Sequence, residues 1–217
     1  MSSTAPEVDA ESDRVDIRQF FLLAFLWMPL GFAGWFYLAG LMSYPVSVLS
    51  RWILVGGIPE LFVTLTQIDY HFEIKSAIPA SAELLALSNK QVGNYAFDVQ
   101  PMIYGYGLPL IFGMVMSMPM PVRRRLFQLL VGSFAIALVQ TWGVVFESIK
   151  TAMFSMGPEA GARIVEAGFN PTVVAFCYQM GYLVLPSLVP VVLWVALNRD
   201  FFDLLTLKAG LQPKDQT

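Results

Sequence analysis

One cysteine and one histidine stand in 217 residues. A disulfide within one copy, a zinc site or a Cys/His metal cluster needs several such ligands, so none of these fits a single chain and no cofactor is expected. Charge is scarce as well: 13% of residues are charged against 56% hydrophobic, with a mean hydropathy of +0.61. Soluble domains carry about a quarter charged residues, so this composition suits lipid and predicts no soluble globular core of the chain's own. There is no basic excess either. The net charge of -3 owes much to Glu7, Asp9, Glu11, Asp13 and Asp16, which argues against a nucleic-acid partner. Residues 1–18 are expected to form a disordered acidic tail. No cleavable leader is legible, because the first apolar run is long and preceded by acid, so the N-terminus should be retained.

Long apolar runs are what the chain has in quantity. A helix needs roughly 20 such residues to cross the hydrocarbon. Four runs qualify: Phe20 to Ser50, Val99 to Val122, Leu126 to Phe146 and Ala167 to Asn198. Helices are placed at about 20–42, 101–120, 126–147 and 172–197, with aromatic residues near their ends. A fifth run, Val46 to Thr66, is broken by Arg51, Glu60 and Gly56-Gly57-Ile58-Pro59 and is expected to lie along the membrane surface. The predicted fold is an α-helical integral membrane protein with about four transmembrane helices and a small extracytoplasmic β-hairpin element.

Arg123, Arg124 and Arg125 form the densest basic cluster, in a short loop, where the positive-inside bias is strongest. Four spans put Arg14, Arg18, Arg199 and Lys208 on that same cytoplasmic side. The expected organisation is therefore a membrane domain over 19–202 with a periplasmic insertion at 43–100, a second outer loop at 148–171, and a cytoplasmic tail at 203–217. Inside the insertion, Ile68, Tyr70, Phe72 and Ile74 alternate with polar residues, as do Tyr95, Phe97 and Val99, the period of half-buried strands. Between them, Pro79 and a helix-like piece, Ser81 to Leu87, are discernible.

Few residues offer chemistry. Asp69, His71 and Glu73 share a face of the first expected strand and could do acid-base work, although alternation alone predicts such a polar face. Cys177 lies in the fourth apolar run with no Lys, Arg or His nearby in sequence to activate it, which suits a small buried hydrophobe. Gln140, Gly143, Glu147 and Lys150 recur at helical spacing near the outer end of the third span. Glu147 and Lys150 could simply pair at i, i+3, or the face could contact a partner. Tyr104-Gly-Tyr106-Gly and Gly181 allow close approach between helices, and Pro29, Pro109, Pro186 and Pro190 should bend their spans. No inverted repeat relates the halves, which disfavours a transporter. The candidate contact residues are Gln140, Gly143, Glu147, Tyr104 and Tyr106.

Five segments carry a resemblance: Leu26-Trp-Met-Pro-Leu30 with Trp35-Phe-Tyr-Leu-Ala39, Pro101-Met-Ile-Tyr-Gly-Tyr-Gly-Leu-Pro109, Gln140-Thr-Trp-Gly-Val-Val-Phe146 and Leu193-Trp-Val-Ala-Leu-Asn-Arg199. Over most of residues 20–202 the chain resembles the exosortase H-associated membrane proteins. The resemblance implies a bacterial inner-membrane, non-enzymatic accessory of exosortase H, a transpeptidase-like enzyme that processes secreted proteins bearing a C-terminal IPTL-type sorting signal. The implied partners are that enzyme, the sorting-signal helices of its substrates, and membrane lipid. The family brings no catalytic residues to carry over, and the surroundings of Cys177 and His71 do not resemble the Cys, Arg and His motifs of exosortases. A membrane-embedded cysteine peptidase or transpeptidase, or a transporter subunit, remains the alternative.

Overall fold

Proline and glycine set the boundaries of most elements. A computed structural model describes residues 17–79 and 93–199, mostly as helix. Helix α1 (Ile17–Tyr37) passes through one irregular residue, Leu38, into α2 (Ala39–Arg51) and a wide helical turn, Trp52–Gly56. Gly56, Gly57 and Pro59 then stop the helix. Strands β1 (Phe62–Ile68), β2 (His71–Pro79) and β3 (Asn94–Val99) form an antiparallel sheet in chain order. A 3-10 turn, Pro101–Tyr104, leads into α3 (Gly107–Met116). There follow α4 (Val122–Ser155), α5 (Pro158–Glu166), α6 (Pro171–Gln179), a wide turn at Met180–Val184, and α7 (Leu185–Leu197). Pro186 explains that turn: it has no N–H to offer the preceding turn, and its ring crowds the carbonyl four residues back.

Among the described residues three helical stretches are long and apolar enough to cross a membrane: Gln19–Tyr37, Val122–Ser155 and Pro171–Leu197. The helix expected over 101–120 forms only in part. Its regular portion, α3, has 10 residues, a rise of about 15 Å, because the Gly105 and Gly107 stretch delays its start and Pro119 and Pro121 prevent its extension. The expected 20–42 helix is interrupted at Leu38, whereas α4 outruns the expected 126–147 at both ends.

Side-chain contacts show that these segments alternate in direction. At one end Phe20 stacks on Trp194 at 5.2 Å, Arg125 donates to the Met118 carbonyl at 3.1 Å, and Arg124 donates to the Leu197 carbonyl at 3.2 Å. One turn further, the amides of Gln128 and Asn198 exchange hydrogen bonds of 2.8 and 3.2 Å. At the other end Gln140 reaches the Pro101 carbonyl. So α1, the 101–116 segment, α4 and α6–α7 run alternately up and down.

Two buried apolar clusters form among the described residues. One buried cluster at the Arg end joins Phe20, Ile111, Met114, Val115, Met118 and Trp194. A larger one joins Val46 and Leu54 of the α2 region, Phe62, Phe72 and Ile74 of the sheet, Val145 and Ile149 of α4, and Ile164 of α5. Helix α4 explains both. Its 34 residues rise about 51 Å, beyond the roughly 30 Å of hydrocarbon. Along its first part Leu126, Phe127, Leu130, Phe134 and Leu138 are exposed, while past Trp142 its apolar residues Val144, Val145, Ile149 and Met153 are buried by the sheet, α2 and α5.

The sheet also differs from the hairpin expected. Asp69 takes a left-handed φ of 52°, and the chain reverses at Asp69–Tyr70 so that Ile68 pairs with His71. Asp tolerates that conformation better than most residues. Alternation runs unbroken across this turn, so Ile68 and Tyr70 read wrongly as one strand with Phe72 and Ile74, and Asp69 does not share a strand face with His71 and Glu73. The run from Val46 to Thr66 is not one surface-lying segment: it divides between α2, the wide turn and β1. Both tails, and the helix expected at Ser81 to Leu87, lie largely or wholly outside the described residues.

Candidate functional site

Where the two cores meet, α4 presents Gln140, Gly143 and Glu147 on one face, since positions three and four apart stack along a helix. The 3-10 turn delivers Tyr104 onto that face. Gln100 is extended, Pro101 opens the turn, and the Tyr104 ring is fully buried over Gly143, where any Cβ would overlap its Cγ and Cδ1. The Tyr104 hydroxyl donates to Glu147 Oε2 at 2.8 Å. One turn below, Gln140 is 1% exposed and its Nε2 donates to the Pro101 carbonyl at 3.2 Å. Its Oε1 is buried without a partner among the described residues.

On the flank of this face α6 and its wide turn close in. Gly181 admits the Trp142 ring, whose Cδ1 would lie 2.9 Å from an added Cβ, and the Gly143 Cα is only 3.3 Å away. Trp142 Nε1 donates to the Cys177 carbonyl at 2.9 Å. Lys150 Nζ lies 4.5 Å above the Tyr178 ring in a cation–π contact. No ion pair joins Lys150 to Glu147 among the described residues. Tyr178 stacks on Tyr182 at 5.9 Å, and Tyr182 meets Tyr104 edge-on at 6.4 Å. The result is a carboxylate enclosed by tyrosines at the junction of three helical segments.

The structure thus brings together four of the five candidate contact residues: Tyr104, Gln140, Gly143 and Glu147. Tyr106 lies two residues on, half-buried at the start of α3, outside the Tyr104–Glu147 pair. Trp142, Tyr178 and Tyr182 belong to the same cluster and were not singled out from sequence. Only Trp142, adjoining Gly143, carried a local signal.

The remaining candidates are dispersed. His71 sits on β2 beside the hairpin turn, edge-on to Tyr70, and the half-buried Glu73 pairs with the exposed Lys75 at 3.5 Å, a contact of the kind that contributes little in water. Cys177 is a half-buried free thiol on α6. A groove of about 260 Å³ between α1, α3 and α4 is lined by Leu30, Gly31, Gly34, Trp35, Phe112 and Ser133. A more polar hollow of about 580 Å³ lies between α2 and β1, beside Arg51, Gln67 and Asp69.

With this geometry in place, the comparison with known families is decisive. Residues 14–201 match the family of exosortase H-associated membrane proteins. The chain belongs to that family. No curated protein and no solved structure matches it. The family's description ties this exosortase H-associated membrane protein to the exosortase H system and to the membrane, in keeping with the three apolar helices of spanning length among the described residues.

Proposed function

We propose that the protein is a non-enzymatic accessory of exosortase H that helps the enzyme hold or position secreted substrates carrying a C-terminal IPTL-type sorting signal. The family match over residues 14–201 carries this reading. The use made of the polar side chains supports it: Glu147, Gln140 and Trp142 bond within the chain and fasten helices to one another, which builds a scaffold. The rim of Tyr178, Tyr182 and Trp142 around the Tyr104–Glu147 pair is the proposed contact region, because amphipathic rings at an apolar boundary pack and hydrogen-bond together.

In the same reading the chain crosses the inner membrane four times. The alternating directions of α1, 101–116, α4 and α6–α7 support this reading, in which the positive-inside bias gives Arg123–Arg125 and both tails a cytoplasmic location. The sheet and α5 then lie in the periplasm. Reporters fused after Thr217 or between Arg123 and Leu126 should report cytoplasm, and fusions near Leu87 and Glu159 periplasm. A cytoplasmic signal at Leu87 would refute this topology.

Deleting the gene tests the function. Substrates with the sorting signal should accumulate unprocessed, or be processed several-fold more slowly, and the enzyme should co-purify with the wild-type protein in mild detergent. Cys177→Ser should restore processing as well as wild type does. Normal processing in the deletion strain, with no enzyme recovered after membrane crosslinking, would remove the proposal.

A further inference from the structure

Strand β1 stands at an edge of the sheet, whose order is β1-β2-β3. Which of its main-chain groups lie open follows from the hairpin. Ile68 pairs with His71 across the two-residue turn Asp69–Tyr70, and in such a hairpin the closing pair exchanges both N–H···O bonds. Bonded and non-bonded pairs alternate along an antiparallel ladder. Thr66 therefore also bonds inward to β2, while Leu65 and Gln67 turn their N–H and C=O groups to the open edge. Among the described residues no main-chain bond from another element reaches Leu65 or Gln67.

Those two residues border the hollow of about 580 Å³ between α2 and β1. Gln67 fastens one end of it, donating from Nε2 to the carbonyls of Gly40 and Asp69 at 2.7 and 2.8 Å. From there Tyr44, Val48 and Arg51 line the α2 side, over about 16 Å. Between Leu65 and Asp69 the β1 side extends about 13 Å, room for about four extended residues. Arg51 stands at one end and Asp69 at the other, and neither forms an ion pair among the described residues. Hydrocarbon does not suit this hollow, because open main-chain groups and charged side chains are costly there. Water alone would leave the apolar surface of Tyr44 and Val48 uncovered. Unpaired edge strands are commonly guarded by charge or proline, whereas β1 reads Phe-Val-Thr-Leu-Thr-Gln-Ile, with neither. Its bulge, between Phe62 and Thr64, interrupts only the far end.

We infer that this hollow is a peptide-binding cleft, in which an extended segment of a partner protein adds to β1 as a fourth strand. The main chain of that segment exchanges hydrogen bonds with Leu65 and Gln67. Antiparallel addition is the stronger pairing per residue, and it sets the polarity of the occupant. A basic residue toward its N-terminal end meets Asp69, an acidic one toward its C-terminal end meets Arg51, and an apolar side chain between them covers Val48 beside Leu65. The cleft goes beyond the sorting reading and does not depend on which enzyme the protein accompanies.

A fluorescent peptide, acetyl-Lys-Thr-Thr-Val-Thr-Glu-amide, titrated against the full chain in lipid nanodiscs tests the cleft by anisotropy. Binding should saturate, and replacing the peptide's Glu by Lys should weaken it about tenfold. N-methylation of the peptide's first Thr and of its Val removes the N–H groups that face Gln67 and Leu65 and should abolish binding. N-methylation of its second Thr, whose N–H faces away from β1, should cost little. Arg51→Glu should reverse the preference between the Glu and Lys peptides while the protein keeps its unfolding temperature. No saturable binding, equal binding of the two kinds of N-methylated peptide, or an unchanged charge preference in Arg51→Glu would each overturn the cleft. Normal processing in the deletion strain would remove the sorting reading and leave the cleft standing.

Discussion

Gly143→Val should leave almost no folded protein in the membrane, and Gly143→Ala should lower stability by about 3 kcal/mol, the upper range for overpacking a filled core. A Cβ at this position would overlap Cγ and Cδ1 of Tyr104. That ring cannot easily yield: it is fully buried, its hydroxyl is held by Glu147, and Tyr182 lies edge-on to it. The Gly143 backbone is also close to Gly181, which limits retreat of α4. Gly34→Ala is the control, since a Cβ there meets nothing within 4 Å and alanine favours the helix. Thermal unfolding in mild detergent should separate the two variants clearly. Tyr104→Leu combined with Gly143→Ala should regain part of the loss. Equal stability of Gly143→Ala and Gly34→Ala would show that Tyr104 does not pack over Gly143 as described.

The second large effect concerns the pair that Gly143 makes room for. Tyr104 is buried and Glu147 half-buried, so removing one partner of their hydrogen bond leaves the other short of a partner at a cost of up to about 1–3 kcal/mol. Glu147→Leu and Tyr104→Phe should therefore each destabilise, and the double variant should lose clearly less than the sum. A double-mutant cycle on unfolding in detergent measures that coupling, expected at about 1–3 kcal/mol. Additive losses would mean that the 2.8 Å contact contributes nothing net. In the processing assay Glu147→Gln should reduce activity several-fold and His71→Ala should not, because His71 lies on the sheet, away from the helix junction. A fully active Glu147→Gln protein at wild-type membrane level would make the carboxylate dispensable for sorting.

Length and apolarity made α1, α4 and α6–α7 legible, because a crossing helix needs a long uninterrupted run and few other structures do. Segment 101–120 was harder. It is as apolar as the others, yet two glycines and two prolines confine its regular helix to Gly107–Met116. The outer core was hidden for a different reason. Phe62, Phe72, Val145 and Ile164 reach one cluster from separate stretches, and the apolar residues of β1 and α4 look the same whether covered by lipid or by protein. The turn at Asp69 was masked by an alternation that continues across it. At the site, helical spacing was enough to collect Gln140, Gly143 and Glu147, and Tyr104 was picked out beside the glycines that bring it close. Tyr178 and Tyr182 join them only through the bend of the α6–α7 segment, which sequence spacing does not encode.

One consequence follows from the order in which the chain is made. Translation delivers β1, β2 and β3 before any of α4, and their shared core with α2 is completed only by Val144–Met153, Ile164 and Val174. The sheet is therefore synthesised well ahead of the helix against which it buries Phe62, Phe72 and Ile74. At a typical rate of about 5–20 residues per second, several seconds separate its emergence from its closure, and during that interval Val46 and Leu54 of the α2 region supply only part of the cover its apolar face finally has.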